Sequence, residues 1–273
     1  MGFVWGFGIS LPITYLAYKK GSLTLDGMAA ATSLGLLLWG FAGSTVYFSM
    51  LAFFLSASAL SHWTKKRVGA EAEEIQSRLE KSERRDYTQV AANGGAALIL
   101  AFIFFLSGLE IFRLAAVLSF AVANGDTWAS ELGGLSSVKP ITLIGRKSLE
   151  KGLSGGVTPL GHLASFGGAA VIALTYFFLE VFAGGEPSRL FFHALIIVGV
   201  GFFGALLDSI LGELVQAKYQ ELREGHRILT EKRKNGKEEN LLVGGYRWVN
   251  NNMVNFLSTI LASFLGGLLF FLR

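Results

Sequence analysis

GMAAATSLGLLLWGFAGSTVYFSMLAFFLSASALSHW, residues 27–63, is the stretch that decides the fold. It holds no Asp, Glu, Lys or Arg over about 35 positions, whereas one helix crosses the hydrocarbon of a bilayer with ~20. Two helices divided near Gly40 and Gly43 account for it better than one. Outward from this stretch the same pattern continues, with long apolar runs alternating with dense clusters of charge. Of 273 residues 52% are hydrophobic and only 16% charged, against roughly a quarter charged in soluble domains. The runs predict eight spans, at 3–18, 27–41, 44–61, 92–108, 111–133, 159–183, 190–217 and 253–272. The chain reads as an all-α polytopic membrane protein, with residues 1–273 as a single transmembrane domain.

Charge sets the orientation. Every Lys and Arg except Arg113, Arg189 and Arg273 falls in one alternating set: Lys19 and Lys20, then the segments 62–91, 134–158 and 218–248. Basic residues stay cytoplasmic, so these three loops are expected inside and both termini outside. Eight spans satisfy that pattern and seven do not. The net charge of +4 follows from this topology and needs no nucleic acid to explain it. Gly2–Tyr18 has no basic segment before it and is expected as a retained first span, not a cleaved signal. The absence of cysteine excludes disulfides, thiolate catalysis and Cys-ligated zinc. Within the loops, Glu71–Arg85 mixes both signs and predicts a solvated cytoplasmic helix. Asn235-Gly236, between Arg227-Ile-Leu-Thr and Leu241-Leu-Val, is a type I′ turn signal and predicts a small cytosolic β-hairpin.

Ionisable residues within spans cost several kcal/mol unless they line a polar cavity. Asp126 and Glu131 lie near the cytoplasmic end of the fifth span, and Asp208 and Glu213 near that of the seventh. All are acidic. Carboxylates gathered at one depth repel unless a cation sits among them, and Mg²⁺ takes oxygen ligands. Residues five apart diverge by about 140° on a regular helix. Asp126 and Glu131 therefore share a direction only if the helix is interrupted, and Asn124-Gly125 is the expected break. The plainer alternative is that Asp126 caps the helix after that break while Glu131 and Glu213 reach cytoplasmic water.

The next segment, KPITLIGRKSLEKGLSGGVTPLG at 139–161, carries Arg146, Lys147 and Lys151, several hydroxyls, and Gly155-Gly156 just before Thr158-Pro159 opens the sixth span. Backbone N–H groups of a glycine turn at a helix N-terminus attract anions, and the basic side chains add charge for a polyphosphate. The GxxxxGK[ST] P-loop is absent; an ordinary basic loop is the alternative. Asn93, Asn251 and Asn255 stand at the cytoplasmic mouths of the fourth and eighth spans, to bond a neighbouring helix or to reach the site. His62, His162, His193 and His226 show no metal-binding spacing. Trp63, Tyr246 and Trp248 suit an interfacial belt.

Ala123-Asn-Gly-Asp-Thr-Trp-Ala-Ser-Glu-Leu-Gly, followed by Ser154-Gly-Gly-Val-Thr-Pro-Leu-Gly, resembles the integral-membrane phytyl-phosphate kinase family, which has plant and cyanobacterial members in tocopherol biosynthesis. Gln89-Val-Ala-Ala-Asn-Gly-Gly, Leu207-Asp-Ser-Ile-Leu-Gly and Asn251-Asn-Met-Val-Asn-Phe-Leu-Ser extend the resemblance in order along most of the chain. It implies phosphorylation of an isoprenyl monophosphate, phytyl or geranylgeranyl phosphate, to the diphosphate, with CTP or ATP as donor and Mg²⁺ as cofactor. It also implies a distant likeness to CTP-using polyprenol kinases and CDP-diacylglycerol synthases, on which Asp126 would hold the metal and Lys147 and Lys151 would face phosphates.

The site so read has Asp126, Asp208 and Glu131 as catalytic carboxylates, these and Glu213 as metal ligands, and Asn93, Asn124, Arg146, Lys147, Lys151, Gly155, Gly156, Thr158, Asn251 and Asn255 as substrate or nucleotide contacts. The expected location is a plasma membrane or a thylakoid or plastid-envelope equivalent, with the active site on the cytoplasmic side. Two other readings stay open: a transporter or ion exchanger using Asp126 and Asp208 as cation sites, and a cytidylyltransferase that forms a CDP product.

Overall fold

A computed structural model describes residues 1–68, 84–223, 226–236 and 238–271. All but the last two residues of the expected helix at 71–85 lie outside them. Helices α1 (Gly2–Lys19), α2 (Leu25–Val68), α3 (Tyr87–Ser107), α4 (Glu110–Gly133), α5 (Pro159–Phe182), α6 (Pro187–Leu214) and α7 (Asn251–Leu268) form the bundle. Four of them, α2, α3, α5 and α6, are long and apolar enough to cross a membrane. The long α2 is divided as its uncharged length requires. Gly43 leaves helical geometry, with φ 79° and ψ −171°, a conformation that glycine adopts without a Cβ clash. The structure thus puts the division at Gly43 and leaves Gly40 helical.

Helix α4 is the centre of the bundle. It packs against α2, α3, α5, α6 and α7, and every residue from Leu114 to Gly125 is buried. A helix enclosed on all sides needs small residues where its neighbours cross it. A Cβ on Gly168 of α5 would lie 2.6 Å from the Asn124 carbonyl, and one on Gly201 of α6 would lie 3.0 Å from the Ala121 carbonyl. The interruption expected at Asn124-Gly125 is not there, since α4 runs unbroken from Glu110 to Gly133. The reason is local. Asn124 accepts from Ser56 Oγ at 3.0 Å and donates to the Gly168 carbonyl at 2.8 Å. Its amide is satisfied across helices and does not compete for its own backbone. With no break, Asp126 has no helix start to cap.

Helix α1 lies on α2 along a stripe of small residues, with Gly6, Ser10, Thr14 and Ala17 buried. Ser10 Oγ donates to Tyr47 OH at 3.1 Å, and the Thr14 and Thr32 hydroxyls meet at 2.7 Å.

Beyond α6, β3 (Lys218–Arg223) is the middle strand between β4 (His226–Thr230) and β7 (Leu241–Gly244). A short hairpin of β5 (Lys234–Asn235) and β6 (Glu238–Glu239) lies between β4 and β7 in sequence. The strands expected to flank the turn do form, but each pairs with β3 and not with the other. Asn235 is itself paired, to Glu238, so the turn begins at Gly236, one residue later than its sequence signal. A further pair, β1 (Ile141–Thr142) with β2 (Gly156–Val157), closes the basic segment on itself.

A Cβ on Gly6 would stand 2.7 Å from the Gly35 carbonyl and 2.9 Å from Leu36 Cα, both backbone atoms of α2. Gly6→Leu is therefore expected to separate α1 from α2 at a cost of about 1–3 kcal/mol, read as a lower Tm in detergent with membrane insertion retained.

Candidate functional site

At one end of the bundle the C-terminal ends of α2, α4 and α6 and the N-terminal ends of α3, α5 and α7 part around a cavity of ≈ 520 Å³. Its walls carry Asp126, Glu131 and Asp208 together with Lys151, Gly155, Gly156 and Thr158 of the glycine-ended segment, and Asn93, Asn251 and Asn255. Most residues expected at the site thus share one chamber, whose lining is drawn from every helix of the bundle but α1.

The carboxylates differ in setting. Asp208 is nearly buried and accepts from Ser258 Oγ at 2.8 Å. With its amide turned to suit its neighbours, Asn255 donates to the same Oδ2 of Asp208 at 3.2 Å and to the Asn251 carbonyl at 3.0 Å. Glu131 accepts from Thr64 Oγ1 at 2.5 Å, which ties it to the end of α2. The fourth acid is elsewhere. Glu213 does not line the cavity; its two oxygens accept from the backbone N–H groups of Ile144 and Gly145 at 2.9 and 2.6 Å. It holds the basic segment down and does not join Asp126 and Asp208.

Among the described residues no three His, Asp or Glu side chains gather closely enough to hold a metal by themselves. Mg²⁺ commonly takes one or two carboxylates and fills its remaining positions with phosphate oxygens and water, and Asp126 and Asp208 on one wet cavity fit that. Ser165 Oγ, buried on the same wall, has no hydrogen-bond partner among the described residues.

The glycine-ended segment is held on several sides. Ser154 N donates to Glu231 Oε1 at 2.7 Å, Gln216 Nε2 donates to Ser154 Oγ at 3.0 Å, and Ser154 Oγ donates to Asn251 Oδ1 at 3.3 Å. Gly155, at φ 92°, runs so close to α6 that a Cβ would stand 2.6 Å from Glu213 N. Thr158 caps α5, accepting from Gly161 N at 3.0 Å. Beneath the segment, Lys218 donates to the Glu213 carbonyl at 3.1 Å. Burial pushes its ammonium pKa down, and the charges of Glu231 and Glu213 oppose that without cancelling it.

Three other expected contacts stand apart from the cavity. Asn124 is fully buried between α2 and α5, as described above. Arg146, at φ 50°, and Lys147 are on the exposed outer turn of the segment, where the Lys147 backbone pairs with Thr142. That leaves Lys151 as the basic residue of the segment that faces the chamber.

The residue that sequence reasoning missed is Arg85. It lines the cavity, donates to Ser58 Oγ at 3.3 Å and lies over the Phe53 and Phe54 rings. Burial lowers its pKa from the ordinary guanidinium value, and the Glu131 charge acts in the opposite sense. In sequence it is one charge at the end of a charged run. The available signal was its place just before Asp86, which caps α3 by accepting from Gln89 N at 3.0 Å. Ser61, Thr64, Lys65, Gln89, His162 and Asn252 also reach the cavity unannounced.

A bundle of apolar helices that opens at one end into a chamber lined by carboxylates, amides and cations defines a multi-pass integral membrane protein with a polar site at one face. The chain belongs to the family described as integral membrane protein DUF92, which matches residues 8–263. It is 30% identical to Protein PGR of Arabidopsis thaliana, over 94% of this chain and 92% of that one. An uncharacterised membrane protein of Methanocaldococcus jannaschii is 30% identical over 73% of this chain and 77% of its own. Protein VTE6, chloroplastic, of Arabidopsis thaliana is 26% identical over 88% of this chain and 63% of its own. No solved structure matches the chain.

Glu213→Ala leaves the Ile144 and Gly145 N–H groups without their acceptor and releases the turn that carries Arg146 and Lys147. Trypsin is expected to cut after Arg146 and Lys147 faster in this variant than in the parent, with the helical content unchanged. Equal cleavage rates would mean that Glu213 does not restrain the turn.

Proposed function

We propose that this protein is a membrane-embedded phosphotransferase that converts an isoprenyl monophosphate to the diphosphate with a nucleoside triphosphate. The observation that carries the reading is the meeting, in one cavity of ≈ 520 Å³, of Asp126 and Asp208 with Lys151 and the Gly155-Gly156 turn. Acids for a phosphate-borne cation and a cation beside a glycine turn for the phosphates are the parts that phosphoryl transfer needs. An oxygen of the acceptor monophosphate attacks the γ-phosphorus, the bond from that phosphorus to the β-bridging oxygen breaks, and the nucleoside diphosphate leaves. The acceptor oxygen is already ionised near neutral pH, so no general base is required. Bound at Asp126 and Asp208, Mg²⁺ would supply charge neutralisation for the triphosphate. Lys151 draws the polyphosphate to the glycine turn, and the bonds on Ser154 hold that turn ready for it.

The motif resemblance to phytyl-phosphate kinases and the similarity to Protein VTE6, chloroplastic, support this reading. A cation exchanger would have no use for the glycine turn and Lys151. In the proposed topology α1, both halves of α2, α3, α4, α5, α6 and α7 make eight crossings. The cavity opens to the cytoplasm, and the sheet of β3, β4 and β7 lies on that side.

Purified protein given geranylgeranyl monophosphate, Mg²⁺ and either CTP or ATP is expected to form the prenyl diphosphate. Asp126→Asn and Asp208→Asn should each lower that turnover by about 10²-fold or more while the protein stays folded. No product from the parent protein with either donor would refute the reading. Lys151→Gln should raise the KM for nucleotide at least as much as it lowers kcat, because its phosphate contact already exists in the ground state. Lys147→Gln, on the outer turn, should change neither.

Orientation is open to a separate check. A single cysteine at position 235 in this cysteine-free chain should react with a membrane-impermeant maleimide only after the cells are opened. Labelling in intact cells would reverse the topology.

A further inference from the structure

We infer that Arg85 receives the phosphate of the acceptor lipid, and that the apolar crevice beside it receives the first part of that lipid's hydrocarbon chain. The inference rests on the phosphotransferase reading for its choice of ligand.

Arg85 stands on a shared wall. On one side is the polar cavity; on the other is a crevice of ≈ 50 Å³ among α1, α2, α3 and α4, and Gln89 and Asn93 border both spaces as well. The crevice is faced by Leu34, Met50, Phe54 and Phe120. The Ser10 and Thr14 hydroxyls on its wall are already bonded, to Tyr47 and Thr32, so it offers a ligand hydrocarbon contact. Its volume admits only the carbons nearest the head group.

The guanidinium needs an anion. It carries five N–H donors, and Ser58 Oγ is the acceptor the structure gives it. Among the described residues no carboxylate lies within ion-pairing distance of it. The guanidinium is half-buried, with the Glu131 charge acting on it from beyond ion-pair distance, and a phosphate dianion matches its fork in shape and charge. The residue is also fixed in place. Arg85 N donates to the Ser22 carbonyl and Thr24 N donates to the Arg85 carbonyl, each at 3.1 Å. Gly27 lies so close to that carbonyl that no side chain fits there. Such a residue is a preset anion contact and not a mobile loop charge.

Two phosphates could answer that need, one on a nucleotide and one on a lipid. Lys151 and the Gly155-Gly156 turn already form a polyphosphate site in the glycine-ended segment. Arg85 is the cation that borders hydrocarbon-lined space, and a ligand with an anionic head joined directly to an apolar chain fits both sides of it.

The test uses the full-length protein in detergent without nucleotide, with farnesyl monophosphate as probe and binding read by native mass spectrometry. The parent protein should bind it, and neither inorganic phosphate nor farnesol at equal concentration should compete. Arg85→Gln should weaken binding by about tenfold or more, and Arg85→Lys should restore part of the loss. Met50→Trp, which fills the crevice, should weaken farnesyl monophosphate binding and leave triphosphate affinity unchanged. Unchanged farnesyl monophosphate affinity in a folded Arg85→Gln protein would overturn the inference. So would a loss confined to triphosphate affinity, or competition by inorganic phosphate equal to that by the lipid. Because no donor is present, these outcomes are independent of turnover. A parent protein that binds the lipid through Arg85 yet transfers no phosphoryl group would sink the kinase reading alone.

Discussion

Ionised carboxylates in a membrane bundle must keep company with water, amides or cations, because hydrocarbon solvates none of them. The architecture follows from meeting that demand at one end of the bundle only. Away from it, α4 is buried on every side by small and apolar residues. Toward it, the same helix delivers Asp126 and Glu131 into the cavity, and α6 delivers Asp208 opposite the amides of α7. The apolar half gives the bundle its packing; the polar half gives the acids a place to be charged. Asn124 marks the boundary, with its amide satisfied by Ser56 and Gly168.

The segments outside the helices serve the same end. Glu231, just after β4, accepts from Ser154 N, and Gln216, just before β3, donates to Ser154 Oγ. Glu213 takes the next turn of the same segment by two backbone N–H groups. A glycine turn restrained at this many points loses little entropy when an anion arrives, which is the advantage of preorganised donors. The chamber carries both signs of charge, with acids on α4 and α6 and basic residues Lys65, Arg85 and Lys151.

Much of this was legible in the sequence because it rests on composition and spacing. The uncharged length of 27–63 demanded a division, and Gly43 supplies it. Acids in apolar runs pointed to Asp126 and Asp208, and the cavity holds both. What failed depends on partners far apart in the chain. Asn124-Gly125 looks like a helix breaker until Gly168 takes the amide. Glu213 has the spacing of Asp208's companion, but the direction of its side chain is set by Ile144 and Gly145. The flanks of the Asn235-Gly236 turn were expected to pair, but β3 lies between them. Arg85 was hidden in a charged run, because only the fold reveals that Ser22, Thr24 and Gly27 pin its backbone and that Phe53 and Phe54 shelter its head.

The central claim is that a divalent ion and a nucleotide's phosphates meet at the carboxylates of one cavity. Mn²⁺ in place of Mg²⁺ makes that meeting visible by electron–nuclear double resonance on the purified protein with a non-hydrolysable triphosphate. The account predicts Mn²⁺ held by the protein with phosphorus-31 hyperfine coupling from the triphosphate, and little Mn²⁺ retained when the triphosphate is left out. Tight Mn²⁺ binding without any phosphorus coupling would contradict it and would point to a cation carrier.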